Sequence, residues 1–404
     1  MHRYNAIAIT MMLLVGLSFT LFINATGRSA GSTITVGRLP SAIAIDARTN
    51  HAFVANAGDN SVTLFNLAKG HGEKTVSVGK FPTSLAVDSQ TGHVFVANML
   101  DHRISILATK DGRVLRTVRV GQFPLRLALA ERSGRVFVLC ATVNGNLGGS
   151  IVDVLDTKSG RLIRTTVIDR RAKLGQRTID FGGGGVAVDN HLGYGVAASL
   201  TFPRVYILDA RIGTLLRSVT VPYRPLDVAV DEQTGRAFVV GNGEVSVLDE
   251  ASGRVMQTIT IQANRTREAA YGEAVAVDHR RGRLFVLDIG KLNPKGVPKG
   301  NGSITTLDES TGAILKRSSV GNNPVIMVPD VLSGRVFVIN DNRGLFSLSP
   351  KLGVVSVLDA GNGTVLRTMP VGRGPEGMAI DLRTGRVFVV NAVDNDVSVL
   401  NLPR

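Results

Sequence analysis

The chain has 404 residues, 44% hydrophobic and 19% charged, so despite a net charge of +14 it is neither a disordered segment nor a polycationic tail. Its single cysteine, Cys140, excludes an internal disulfide framework, c-type haem attachment and a cysteine zinc cluster. The 45 glycines, 5% aromatic content and lack of tryptophan speak for many short strands joined by tight turns rather than for helix bundles.

Arg3 precedes an uncharged run, Ala6 to Ile23, that gives way to small polar residues, the layout of an export signal. Residues 1–25 are expected to form a signal peptide cut after Ala25, with 26–32 as a linker. An uncleaved anchor is the alternative, because the run sits at the lower limit for crossing a bilayer. The expected location is extracytoplasmic: periplasmic, secreted or at the cell surface.

From residue 33 to 404 one pattern repeats. An Ala-Val/Ile-Asp position recurs at Asp46, Asp88, Ala130, Asp189, Asp231, Asp278, Asp330 and Asp381. Seven residues after each stands Phe53, Phe95, Phe137, Val196, Phe238, Phe285, Phe337 or Phe388. Each copy contains four short apolar runs rich in β-branched residues, which read as strands. Nearly continuous apolar runs imply sheets covered on both faces. The repeated Asp and the Gly that follows it read as turn-formers: a carboxylate binds backbone N–H groups two residues on, and glycine accepts the left-handed conformation that ends such a loop. Four antiparallel strands per copy, stacked between neighbours, describe a propeller blade. The last copy lacks its fourth strand, and Thr33 to Gly37 matches the other fourth strands. The expected fold is therefore all-β: an eight-bladed β-propeller of four-stranded antiparallel blades, its ring closed by the N-terminal strand.

Phe53-Val-Ala-Asn56, Phe95-Val-Ala-Asn98 and Phe388-Val-Val-Asn391, each preceded by Gly-x-x-Pro, make residues 33 to 404 resemble the YVTN-family β-propeller repeat proteins. The resemblance implies an exported or surface protein that binds something through its ring, with nucleic acid, lactone and haem chemistry on related rings. Val196 and Ala130 depart from the repeat, and eight copies exceed the seven blades commonest among such proteins.

Length changes between copies fall only in second-to-third strand loops and in loops leading to the next blade, which emerge on one face of a ring. Such one-sidedness points to a working surface on loops held by a rigid scaffold. The inserts are rich in cations, Arg170, Arg171, Lys173 and Arg177 among them. Arg38, Lys80, Arg126, Arg224 and Arg373, with Glu376 and Asp227 beside them, are expected to converge at the channel mouth and attract an anionic ligand. The other face has cations of its own in Gly-Arg turns, so charge alone selects neither side.

No nucleophile elbow, phosphate loop, zinc motif or calcium loop occurs, and no metal or cofactor is expected. Asp394, Asn395 and Asp396 read as a turn, and Cys140 as a buried, inert thiol. Three functions remain. The first is an exported binding module whose basic, loop-rich face engages an anionic polymer (nucleic acid included), a cell-surface component or a protein partner. The second is a lactonase or hydrolase at the channel mouth, using Glu273, Glu376 or His102. The third is a structural surface-layer component. The pattern weighs against an enzyme.

Overall fold

A computed structural model describes residues 32–144, 147–169, 172–173, 184–261, 274–292, 298–342 and 351–402. The signal and linker segments lie outside them, apart from Ser32.

The described residues form eight antiparallel four-stranded sheets, with each inner strand contacting the inner strands on either side. The inner strands follow one another around the ring until Pro375–Asp381 meets Pro40–Asp46. In the last blade, Ser32–Thr35 pairs antiparallel with Asp396–Leu400, from Ser32 opposite Val399 to Thr35 opposite Asp396. The leading segment thus supplies the fourth strand that the final copy lacks. Ile34 of this strand is 2% exposed and packs among residues of blades eight and one. A buried aliphatic side chain contributes about 1.5–3 kcal/mol, so the latch is held by packing as well as by ladder bonds.

The core sits between blades. Phe53, Phe95, Phe137, Phe238, Phe285, Phe337 and Phe388 are fully buried, and apolar clusters join one blade to the next, as Phe388 and Val390 join Ala52, Val54 and Phe65. Blade four has Val196 at this position. Its neighbour Gly195 leaves room for blade three, since a Cβ there would come within 2.7 Å of the Phe137 ring. Burial on both faces holds for second and third strands but not for fourth strands, which are largely exposed, as in Val114–Arg119. Blade three also departs from the expected loop insertion. Its second and third strands lengthen instead to Arg135–Asn144 and Leu147–Asp156, a projecting hairpin on whose edge Ala172–Lys173 pairs.

On the face of the short turns, the repeated Asp acts as the turn chemistry requires. Asp46 accepts the Arg48 N–H at 3.1 Å and the Thr49 hydroxyl at 2.8 Å, and Asp88 accepts the Gln90 N–H at 2.9 Å. The same carboxylates face the next blade. There Asp189 meets Glu250 and Asp231 meets Glu309, and all four residues are buried. Burial first, and then the Asp opposite, pushes the Glu250 carboxyl up to about 9 and the Glu309 carboxyl to about 8. Each pair therefore holds a proton at neutral pH, which relieves the repulsion between two facing carboxylates.

Candidate functional site

The channel mouth is built by Gly-x-x-Pro segments entering the inner strands. In blades one, two, seven and eight, Asn56, Asn98, Asn340 and Asn391 are fully buried. Their amides donate to third-strand hydroxyls: Ser61 and Thr63, Ser105, Ser356, and Ser398. Gly37, Gly79, Gly321 and Gly372 lie against these amides, and a Cβ on any of them would approach the Asn side chain to between 2.5 and 2.7 Å. The first glycine is therefore required by close approach.

The residue before proline is left-handed, at φ 47° in Leu39, 54° in Phe81 and 45° in Phe123. Bulky side chains rarely adopt this conformation, so it must be held. Its carbonyl accepts from Ala57, Met99 or Ala141. Its N–H donates into the preceding blade: Leu39 to Asn395 Oδ1 at 2.9 Å, Phe81 to Asn60 Oδ1 at 2.9 Å, and Phe123 to His102 Nδ1 at 3.1 Å. His102 thus does the work of an asparagine. With Nδ1 accepting, the ring proton sits on Nε2. Burial pulls its pKa below the ordinary value, and the ring lies edge-on to Phe123 at 5.0 Å. This occupation is a clamp between blades. Asn395, at φ 56°, likewise makes the turn expected of it.

Two of the predicted mouth cations are tied to carboxylates. Arg38 binds Asp59 through both its backbone N–H and its guanidinium, each at 2.6 Å, and Arg373 binds Asp394 in the same way at 2.7 and 2.6 Å. Burial acts to raise the Asp59 carboxyl, yet the bonds and charge of Arg38 hold it below the usual range. Arg38 is 73% exposed, so its ion pair is worth at most about 1 kcal/mol. Lys80 donates its backbone N–H to Asp101 at 2.6 Å. The main effect of these carboxylates is to fix the loop and neutralise two of the five cations. Arg224 is half-buried beside blade five, where its carbonyl lies 2.4 Å from where a Gly241 Cβ would stand. Glu376 is exposed at the bulge that opens the last inner strand. Arg170, Arg171 and Arg177 lie outside the described residues, as does Glu273, and Lys173 is placed by its backbone alone.

The inner strands do bring Arg126 and Asp227 together. At their level the eight strands carry Ala42, Ser84, Arg126, Gly185, Asp227, Ala274, Ile326 and Gly377, mostly small residues. Asp227 accepts the Val275 N–H at 3.2 Å and lies over Gly185, where a Cβ would stand 2.4 Å from its oxygen. Burial raises its carboxyl to about 6, against the lowering influence of backbone N–H groups and of Arg126. A carboxyl raised towards neutrality beside an exposed arginine is mostly ionised at neutral pH and can take up a proton there, while the arginine can meet an anion.

Blades three to six also change the slot that Asn fills elsewhere, placing Cys140, Ser199, Gly241 and Asp288 there. Cys140 is fully buried with its thiol pushed well up, first by burial and then by the Asp153 charge. Asp153 takes the place of a third-strand hydroxyl and accepts the Gly121 N–H at 2.6 Å. In blade five the Tyr223 ring fills the space over Gly241, and its hydroxyl donates to Val239 O at 2.6 Å. Asp169, buried where the insert before blade four begins, gathers four hydroxyls: Ser150 at 2.8 Å, Ser199 at 2.6 Å, Thr201 at 3.1 Å and Tyr206 at 2.5 Å. No group of metal-ligating side chains occurs among the described residues.

The fold defines the chain as an eight-bladed β-propeller, and known proteins agree at that level. It is similar to Sqt1 of Saccharomyces cerevisiae, at a TM-score of 0.71 and 13% identity over 93% of this chain and 100% of that one. It is also similar to BamB from Moraxella catarrhalis (TM-score 0.61, 14% identity, 94% and 99% covered). A Kuenenia stuttgartiensis hydrazine synthase chain is a further neighbour (TM-score 0.56, 14% identity, 95% and 99% covered). No family model and no curated protein matches the sequence.

Proposed function

We propose that the protein is an exported binding module of the YVTN-repeat type, whose working surface is the second-to-third loop face over blades three to six. There it engages an anionic polymer, a cell-surface component or a protein partner. One observation supports this above the rest: departures from the repeat gather on one arc, where the Asn slot changes chemistry in blades three to six and long inserts leave the ring over blades three to seven, while blades eight, one and two stay alike in both respects. Exposed Arg126 and the insert cations Arg170, Arg171, Lys173 and Arg177 give that arc its affinity for anions. The test is retention on heparin and on single-stranded DNA at rising ionic strength. Retention that weakens as salt rises supports the reading, and no retention at low salt overturns its electrostatic basis. N-terminal sequencing of the exported protein tests the cut after Ala25.

Asp227 supports a second reading, hydrolysis at the mouth, with a carboxyl near neutral as general base and Arg126 holding the substrate's anionic oxygen. Lactone turnover that Asp227→Asn abolishes without unfolding the ring would favour it.

A further inference from the structure

The face of the short turns has a surface feature that loop lengths alone do not reveal. Of the fourteen exposed large apolar residues among the described residues, thirteen lie in or next to first-to-second and third-to-fourth turns, and Val167 alone lies towards the other face. Six of the thirteen occupy one structural position. In each blade from two to seven, the fourth strand opens with a bulge that leaves one residue without a ladder partner: Leu115, Ile163, Leu216, Met256, Leu315 and Leu366. They are between 40% and 54% exposed. A bulge re-aims its extra side chain and needs no hydrophobe there. Equivalent positions around a ring share one plane, so these six side chains form an apolar arc at one level. It stops at blade one, where the bulge residue is Glu73.

Cations interleave with the arc. Exposed Arg116, Arg164, Lys316 and Arg367 each follow a bulge residue, and exposed Arg161 and Arg254 precede one. Acids in the same turns are engaged: Asp156, Asp249 and Asp308 accept turn N–H groups and hydroxyls from Ser159, Ser252 and Ser310. Burial aside, those bonds hold Asp308 down at about 2. Bulged edges discourage an added strand, and two cationic faces repel one another, which disfavours a second copy. A coplanar set of aliphatic side chains among cations suits a flat anionic surface, with the aliphatics entering the headgroup boundary and the cations meeting the headgroups.

We propose that the short-turn face docks on the surface of an anionic lipid bilayer, leaving the loop-rich face turned outward. The experiment places a polarity-sensitive fluorophore on Leu315→Cys and, as control, on Val167→Cys in the full chain. Cys140 is fully buried with a raised thiol pKa and stays unlabelled. Vesicles of phosphatidylglycerol mixed with phosphatidylcholine are compared with phosphatidylcholine alone. The expected result is a blue shift at position 315 on anionic vesicles only, reversed by salt and absent at 167. The triple variant Leu115→Ser, Leu216→Ser, Leu366→Ser should lower that response about tenfold, as loss of apolar area dictates. An equal response at both positions, or none at 315, overturns the proposal; so does a shift without vesicles that grows with protein concentration, which would mark a second copy instead. Because the label reports the immersion of one position, binding through the apolar N-terminal run does not imitate it.

Discussion

Blades seven, eight, one and two differ from blades three to six in how they solve one local problem, that of filling the slot beneath the blade-to-blade loop. The first group uses a buried Asn bonded to a serine or threonine hydroxyl and covered by a glycine. The second uses Cys140 with Asp153, Ser199 with the Asp169 hub, the Tyr223 ring over Gly241, and Asp288. The strands around the slot keep the same antiparallel order in both groups. The ring thus specifies a filled, hydrogen-bonded slot rather than a residue, and the second arc has been free to diverge while its scaffold stays fixed.

The largest contrast should come from removing the hub. Asp169→Ala orphans the hydroxyls of Ser150, Ser199, Thr201 and Tyr206. It should cost about 3–5 kcal/mol in urea unfolding, whereas Asn98→Ala in the regular arc should cost about 1–3 kcal/mol. Equal costs would mean that the two solutions are energetically alike.

Next is the pH dependence of the ring between blades four and six. The unfolded chain releases the Glu250 and Glu309 protons near 4.5, while the folded ring keeps them to about 9 and about 8. Their contribution is complete below pH 4.5 and is lost as pH rises through the folded values. Thermal midpoints should therefore fall between pH 5 and pH 9, and Glu250→Gln with Glu309→Gln should flatten that slope. The neighbouring charges are Glu232 by Asp189, and His279, Arg236 and Asp308 around the Asp231 pair. No equivalent acid pair occurs among the described residues of blades seven, eight, one and two, where Leu67, Thr109, Ala360 and Leu402 hold the Glu position. The smallest effect concerns His102. His102→Asn should leave stability within about 0.5 kcal/mol, because Asn60 and Asn395 perform the same task, and His102→Ala should cost about 1 kcal/mol.

Much of this ring was legible in the repeat. The fixed interval from Asp46 to Phe53, and its seven echoes, is set by a turn and a core position that every blade needs. The closing strand was legible because Thr33 to Gly37 copies a fourth strand. The state of the mouth cations was harder to see, since their partners lie on another loop. Yet a signal was present: Arg38 and Asp59, Lys80 and Asp101, and Arg373 and Asp394 are each 21 residues apart. Arg126 and Asp227 were both expected at the mouth from their place beside the strand entries; what no local pattern encodes is the burial of Asp227 over Gly185. Of the slot residues in blades three to six, Cys140 was legible as a buried thiol, whereas the role of Ser199, Gly241 and Asp288 was not, because the repeat marks the slot only where Asn fills it.

The central claim, that the divergent arc is the binding surface, is tested by reversing charge on each arc separately. Arg126→Glu with Lys173→Glu is compared with Arg38→Glu with Lys80→Glu for heparin affinity at low salt. The expected loss is about tenfold for the first pair, from two removed cation contacts, and less than about twofold for the second. Equal losses, or a greater loss from Arg38 and Lys80, would contradict it.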